Sequence, residues 1–230
     1  MKVQYEIKRK PNQKNTYLRF SKGSLVVSTN LTTSTSQIEA FVVSHKAWIE
    51  KQRKKYQLRE KITFKFEDGE SFPIFGRSIV LKVYREKGFS YLDNEKRILS
   101  LYVNGKNKDI KKAFLSFCRK ELLSYYLLKV SFWAKVMNLE YKSISLNNAI
   151  KQWAHCTRDG KLVFSLKTIV LDRSLLDYLI VHELSHLAYF NHSKAFYLLV
   201  SKFIPDYKIK QEKLKSCHLM AVAFVKEEDS

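Results

Sequence analysis

The spacing of apolar positions changes character along the chain. From Val3 to Lys8 apolar and polar residues alternate, as in a half-buried strand. Tyr17-Leu18-Arg19-Phe20 and Leu25-Val26-Val27 flank Ser21-Lys22-Gly23-Ser24 as the arms of a hairpin. Thr35 to about Tyr56 reads as one helix, with Ile38, Phe41, Val42, Ala47, Trp48 and Ile49 giving its apolar spacing. Its basic run Lys51 to Lys55 suits a helix C-terminus, where the dipole favours cations. A second β region follows. Ile62 to Phe66 leads into a turn at Glu67-Asp68-Gly69-Glu70, Ser78 to Tyr84 and Ile98 to Val103 read as strands, Asp93-Asn94 marks a turn, and Gly76 suits a tight one. From Asp109 to about Met137 the period lengthens. Ile110, Phe114, Phe117, Leu122, Tyr126, Trp133 and Met137 recur at three-to-four spacing and predict a long core helix that packs its tyrosines and Trp133 inside. Ser143 to Leu146 and Leu162 to Leu166 are short strands around a loop holding Arg158-Asp159-Gly160.

The chemistry lies in the next stretch, Ser174 to Phe203, which contains His182-Glu183-Leu184-Ser185-His186 and then Asn191-His192. Ser174 and Asp177 form a predicted capping box, and Leu175, Leu176, Leu179, Ile180 and Leu187 give the helix a buried side. Histidines four apart on a helix project from one face, so both imidazoles reach one zinc ion while Glu183 approaches a water on it. His192 would point about 240° away on a continuous helix at roughly 100° per residue, so the helix must stop first. Asn191, in the left-handed conformation, is the expected stop, and Ser193 the cap of a second helix through Phe203. The expected metal ligands are therefore His182, His186 and His192, with Zn2+ as cofactor, a fourth position open for water, and Glu183 as the catalytic base.

The resulting fold class is α+β. It comprises a β-rich N-terminal region with one helix over residues 1–106, a zincin-like metallopeptidase region over 107–216 with the long core helix, short strands and the HExxH helix, and a C-terminal tail over 217–230. The change of element type falls near residues 104–110.

Composition narrows the class. An apolar fraction of 45% and an aromatic fraction of 13% are those of a folded chain. The sequence has no signal-peptide pattern, and its most apolar region, Leu122 to Leu139, is broken by Lys129 and Lys135. Cys118, Cys156 and Cys217 are scattered and odd in number, which fits reduced thiols in a cytoplasmic, soluble protein with no membrane association. The net charge of +20 favours polyanions, including non-specific nucleic acid, although the lysines are spread through the chain. Oligomeric state stays open.

The string from Leu176 through His-Glu-Leu-Ser-His, Asn-His-Ser-Lys-Ala-Phe-Tyr and Pro205-Asp206-Tyr207 resembles the YgjP-like metallopeptidase family, which is related to the SprT-like zinc proteases. Ile38 to Ile49 and Gly69 to Arg77 are similar to that family's N-terminal half. The resemblance implies zinc at His182, His186 and His192 and a catalytic Glu183, acting on a peptide or protein substrate. One departure concerns Gln152-Trp153-Ala154-His155-Cys156, where the family usually has Arg-Trp-Gly-Ser-Cys. His155 is then a surface residue or a polar group facing the cleft, and Cys156 is not counted as a ligand. Metzincins are excluded by Tyr189, which stands where they have glycine, and by the lack of a methionine-turn context around Met220. Tyr178, Tyr197 and His155 are candidates for a second oxyanion donor, and Asp177 or Asp206 for orienting a ligand histidine. Two rival readings remain: hydrolysis of a nucleotide phosphoanhydride by the same metal and base, and a basic nucleic-acid-binding module.

Overall fold

The computed structural model describes residues 3–21, 23–103 and 108–225. Contacts divide the chain into two compact units, residues 1–62 and 63–230. The element change expected near 104–110 lies inside the second unit, with residues 104–107 outside the described ones.

Unit 1 holds β1 (Glu6–Arg9), β2 (Tyr17–Ser21), β3 (Ser24–Thr29), α1 (Thr35–Ser44) and α2 (Lys46–Lys61). The predicted hairpin pairs β2 with β3 antiparallel, and β1 joins the other side of β3 in parallel. β1 is exposed along its length rather than half-buried, because the apolar neighbours that pack are Val3 and Tyr5 before it. The single helix expected over Thr35–Tyr56 is two helices. Ser34 caps α1 in a box with Gln37, and the helix ends at His45, whose backbone leaves the α region at φ −104° and ψ 16°. His45 Nδ1 donates to Phe41 O at 2.8 Å, which helps to fix the break. The basic run Lys51 to Lys55 accordingly lies in the middle of α2, not at its end. Leu25 and Val27 from the sheet close on Ile38, Val42 and Ile49.

Unit 2 is organised around α3 (Lys108–Met137), the long helix that periodicity predicts. It sends Ile110, Phe114, Phe117, Cys118, Leu122, Tyr126, Val130, Ala134 and Met137 into one core. A four-stranded sheet, β4 (Ser71–Ile74), β5 (Arg77–Tyr84), β6 (Tyr91–Asp93) and β7 (Ile98–Tyr102), is ordered β4-β5-β7-β6. Residues 62–66 form no strand. The turn between β4 and β5 consists of Phe75 and Gly76, both at positive φ (49° and 74°), the backbone that a two-residue hairpin requires. A three-stranded sheet, β8 (Ser143–Asn147), β9 (Ala154–Cys156) and β10 (Lys161–Ser165), is ordered β8-β10-β9. β9, which the sequence reading leaves in the loop, is its edge. A 3₁₀ turn (Leu166–Val170) then leads to α4 (Arg173–Ser185), α5 (Lys194–Phe203) and α6 (Tyr207–Val225). α6 is no tail: Ala221, Phe224 and Val225 belong to the core. Mixed sheets and six helices make the fold α+β. Among the described residues no helix is long and apolar enough to cross a membrane.

Candidate metal centre

The active helix begins two residues earlier than the capping box predicts. Asp172 is the N-cap, its carboxylate accepting from Leu175 N at 3.0 Å, and Ser174 Oγ donates to the same carboxylate at 2.6 Å. An aspartate outcompetes a serine here because its charge also meets the helix dipole. Leu175, Leu176, Leu179, Ile180 and Leu184 bury one side of α4 and fix its rotation, which sets where His182 and Glu183 point.

The helix also ends earlier than expected. His186 is its C-cap, with residues 186–188 in turns and Tyr189 N donating to Ser185 O at 3.0 Å. Asn191 does not adopt a left-handed backbone. The reversal is spread over several turn residues, so no single residue need carry the positive φ. Ser193 caps α5 as predicted, its Oγ accepting from Phe196 N at 3.4 Å. His192, just before that cap, is returned to the other two histidines.

The three imidazoles converge. His182 Nε2 and His192 Nε2 lie 3.0 Å apart, and one donor atom from each of His182, His186 and His192 falls within 4.8 Å of the others. A tetrahedral site with bonds of about 2.05 Å has edges of roughly 3.3 Å, so the donor set fits an ion that favours imidazole and low coordination number. Burial, with His186 and His192 beside it, holds the His182 pKa down to about 3, and burial lowers that of His186 too. Both are thereby kept neutral, the form that coordinates metal. Tyr189 O lies 3.1 Å from His186 Nδ1; a carbonyl can only accept, so Nδ1 carries the proton and Nε2 keeps its lone pair. Behind His182, Tyr178 OH stands 3.4 Å from Nδ1. The groups that contact the Nδ1 atoms of these two rings are thus Tyr178 and the Tyr189 carbonyl. Asp177 instead takes a hydrogen bond from Tyr125 and pairs with Lys129, and Asp206 pairs with Lys210.

Glu183 shares a cleft of about 320 Å³ with the three histidines, Ala154, His155, Cys156 and Phe190. It is 4% exposed, and burial pushes its pKa up to about 8 against the Cys156 N–H, which donates to the carboxylate. Burial likewise lifts the Cys156 thiol to about 11, so it stays protonated and is a poor metal ligand. His155 faces the cleft, held by Gln152 Nε2 at 2.9 Å from its Nδ1. Tyr178 and Tyr197 do not line it; Tyr197 stacks beside His192 and takes a hydrogen bond from Gln211. Phe196 is the residue that sequence reasoning passed over. Fully buried, its ring centroid lies 4.9, 4.6 and 4.8 Å from those of His182, His186 and His192, forming an apolar floor. The one available signal was its place three residues after a predicted cap.

The strand beside this cleft is open. Thr157 N donates to Lys161 O and Ser165 N to Trp153 O, so residues 153, 155 and 157 turn their main-chain groups toward β10. By strand alternation those of Ala154 and Cys156 project from the free edge.

An α+β chain with a buried glutamate among three converging imidazoles has the make-up of a metal-dependent hydrolase. The family comparison is more specific: the YgjP-like metallopeptidase domain matches residues 14–217, and the chain belongs to that family. Among solved structures the chain is similar to the metallopeptidase zymogen abylysin of Pyrococcus abyssi, at 17% identity and a TM-score of 0.36, over 38% of this chain and 90% of that one. That likeness is too slight to bear on fold or function. No curated protein matches.

Proposed function

We propose that this metallopeptidase is zinc-dependent and zincin-like, with His182, His186 and His192 holding the ion and Glu183 acting as general base on peptide bonds. The observation that carries the reading is the placing of Glu183 in the same cleft as three mutually close imidazoles, beside an open strand edge. Zinc bound there would supply Lewis-acid polarisation of the scissile carbonyl and make water nucleophilic near neutral pH. Glu183 takes the proton from the attacking water and delivers it to the leaving amine. The Cys156 N–H fixes the carboxylate during both transfers. Substrate adds to β9 through the main-chain groups of Ala154, which carries the scissile bond past the base. His155 is the one candidate oxyanion donor in the cleft lining, and it takes that role.

Among the described residues the lining contains neither lysine nor arginine. A nucleotide polyphosphate would find no fixed counter-charge there, which favours the peptide over a phosphoanhydride. Elemental analysis and peptidase assays on purified variants test the reading. His192→Ala should lose bound zinc, whereas Glu183→Gln should keep it and lose on the order of 10²–10⁴-fold in kcat. His155→Ala should keep zinc and lose roughly tenfold or more in kcat at little change in KM. A wild type that takes up no zinc when supplied with it would overturn the assignment.

A further inference from the structure

The lysines are spread through the sequence, but the net charge is not. Residues 1–62 carry 14 lysines and arginines against 4 glutamates and no aspartate, a net +10. Residues 63–230 carry 28 against 18, also +10, over 168 positions. Half of the excess charge therefore belongs to about a quarter of the chain. The six ion pairs among the described residues all lie in unit 2, where they partly neutralise its field at close range.

Within unit 1 the charge is densest on α2, whose 16 residues include 7 lysines and arginines and 2 glutamates. The helix turns Ile49 into the small core, with Gln52 and Tyr56 half-buried on the same side. Lys46, Lys51, Arg53 and Lys54 are exposed, and among the described acidic side chains of this helix only Glu50 stands with them. A surface helix that docks on a membrane needs a broad apolar face turned outward. α2 turns Ile49 into unit 1 and exposes cations on its outward side, where Trp48 and Leu58 stand as two separate exposed apolar residues rather than a continuous apolar face. A single acidic loop of a partner protein would meet only part of such a surface, whereas a regular polyanion meets several cations at once.

From this we infer that α2 is the contact surface for a nucleic-acid phosphate backbone, a sequence-independent binding function separate from the metal cleft and lying beyond the peptidase reading. Each neutralised phosphate releases condensed counterions, so the signature is the steepness of the salt dependence rather than one affinity.

The test uses the full chain carrying Glu183→Gln, so that proteolysis plays no part. A mixed-sequence DNA duplex and a single-stranded RNA are titrated in parallel over a range of salt, which tells the two sources of phosphate apart. The variant Lys46→Gln/Lys51→Gln/Arg53→Gln/Lys54→Gln keeps good helix formers at all four positions. Its log K against log[salt] slope should fall by about 2–4 for whichever polymer binds, with a loss on the order of tenfold or more at low salt. The control Lys82→Gln/Lys112→Gln/Lys120→Gln/Lys208→Gln removes the same charge from exposed positions of unit 2 and should lose less than half as much. Equal losses in the two variants, no measurable binding by the wild type, or tighter binding to phosphatidylserine vesicles than to either polymer would each overturn the inference.

Discussion

At the scale of single residues, the candidate ligands His182 and His186 each engage Nδ1 with a neighbouring group and leave Nε2 on the cluster side. Nε2 of His182 faces its neighbours, and Nδ1 meets the Tyr178 hydroxyl, itself 2% exposed and hydrogen-bonded to Gln211 of α6. Tyr178→Phe should leave the fold intact and weaken zinc affinity about tenfold, read by competition with a chelator. Lys167 makes a different demand. Fully buried, with no acidic partner among the described residues, it donates to Ile150 O at 2.7 Å and lies 4.6 Å over the Trp153 ring, holding the segment that feeds β9. Burial brings its pKa down to about 8, against roughly 10.4 in an unfolded chain. Between those values the unfolded state binds more protons, so stability rises with pH; below about 8 the folded protein bears the full cost of a buried charge. The urea midpoint of wild type relative to Lys167→Met should therefore climb from pH 8 to pH 10. His182, Glu183 and His186 could be singled out as candidates because their relation is local, within about one turn, whereas His192 comes near them only through the chain reversal after α4. Tyr178 as the Nδ1 contact of His182, the Tyr189 carbonyl and the Phe196 floor could not be singled out, since each depends on how α4, α5 and α6 pack.

Elements show the same division between local and distant causes. Long apolar periodicity made α3 readable, and cap chemistry made the start of α5 readable. The break at His45, the early start of α4 and the strand β9 escaped, because each turns on a competition that a pattern of apolar residues does not register. β9 is three residues long with intermediate burial throughout, and only its pairing with β10 makes it a strand. The start of α4 is also clasped by another element. Gly76, at φ 74° in the β4–β5 turn, sits where a Cβ would come within 2.6 Å of the Asp172 Cβ, and Phe75 N donates to Ile169 O at 2.7 Å. Gly76→Ala combines a left-handed backbone with a clash on the cap of the metal-site helix. A loss of at least ~1–3 kcal/mol is expected in chemical denaturation, together with reduced zinc uptake. The conformationally matched Gly69→Ala, with open space around its Cβ, should cost only the backbone part.

For the molecule as a whole, unit 2 closes its core with the last helix. Phe224, fully buried, packs within 5.5–6.4 Å of Phe64, Phe72 and Phe114 by ring centroid, so the far end of the chain reaches the four-stranded sheet and the start of α3. Phe224→Ala should cost about 3–5 kcal/mol in the cooperative unfolding of unit 2. From sequence the same residues read as a tail, because an apolar cluster after a run of lysines gives no sign of where it docks. The edge beside the metal centre also sets a length. Three residues at about 3.3 Å each give a grip of roughly 10 Å, and one of their outward N–H groups is already committed to Glu183. A peptide seated on β9, as proposed, would be held only briefly and would have little of its sequence recognised. Peptides trimmed to a few residues around the cut should be processed almost as well as longer ones, and the practical barrier to cleavage becomes whether a protein can offer a slack, extended segment at all.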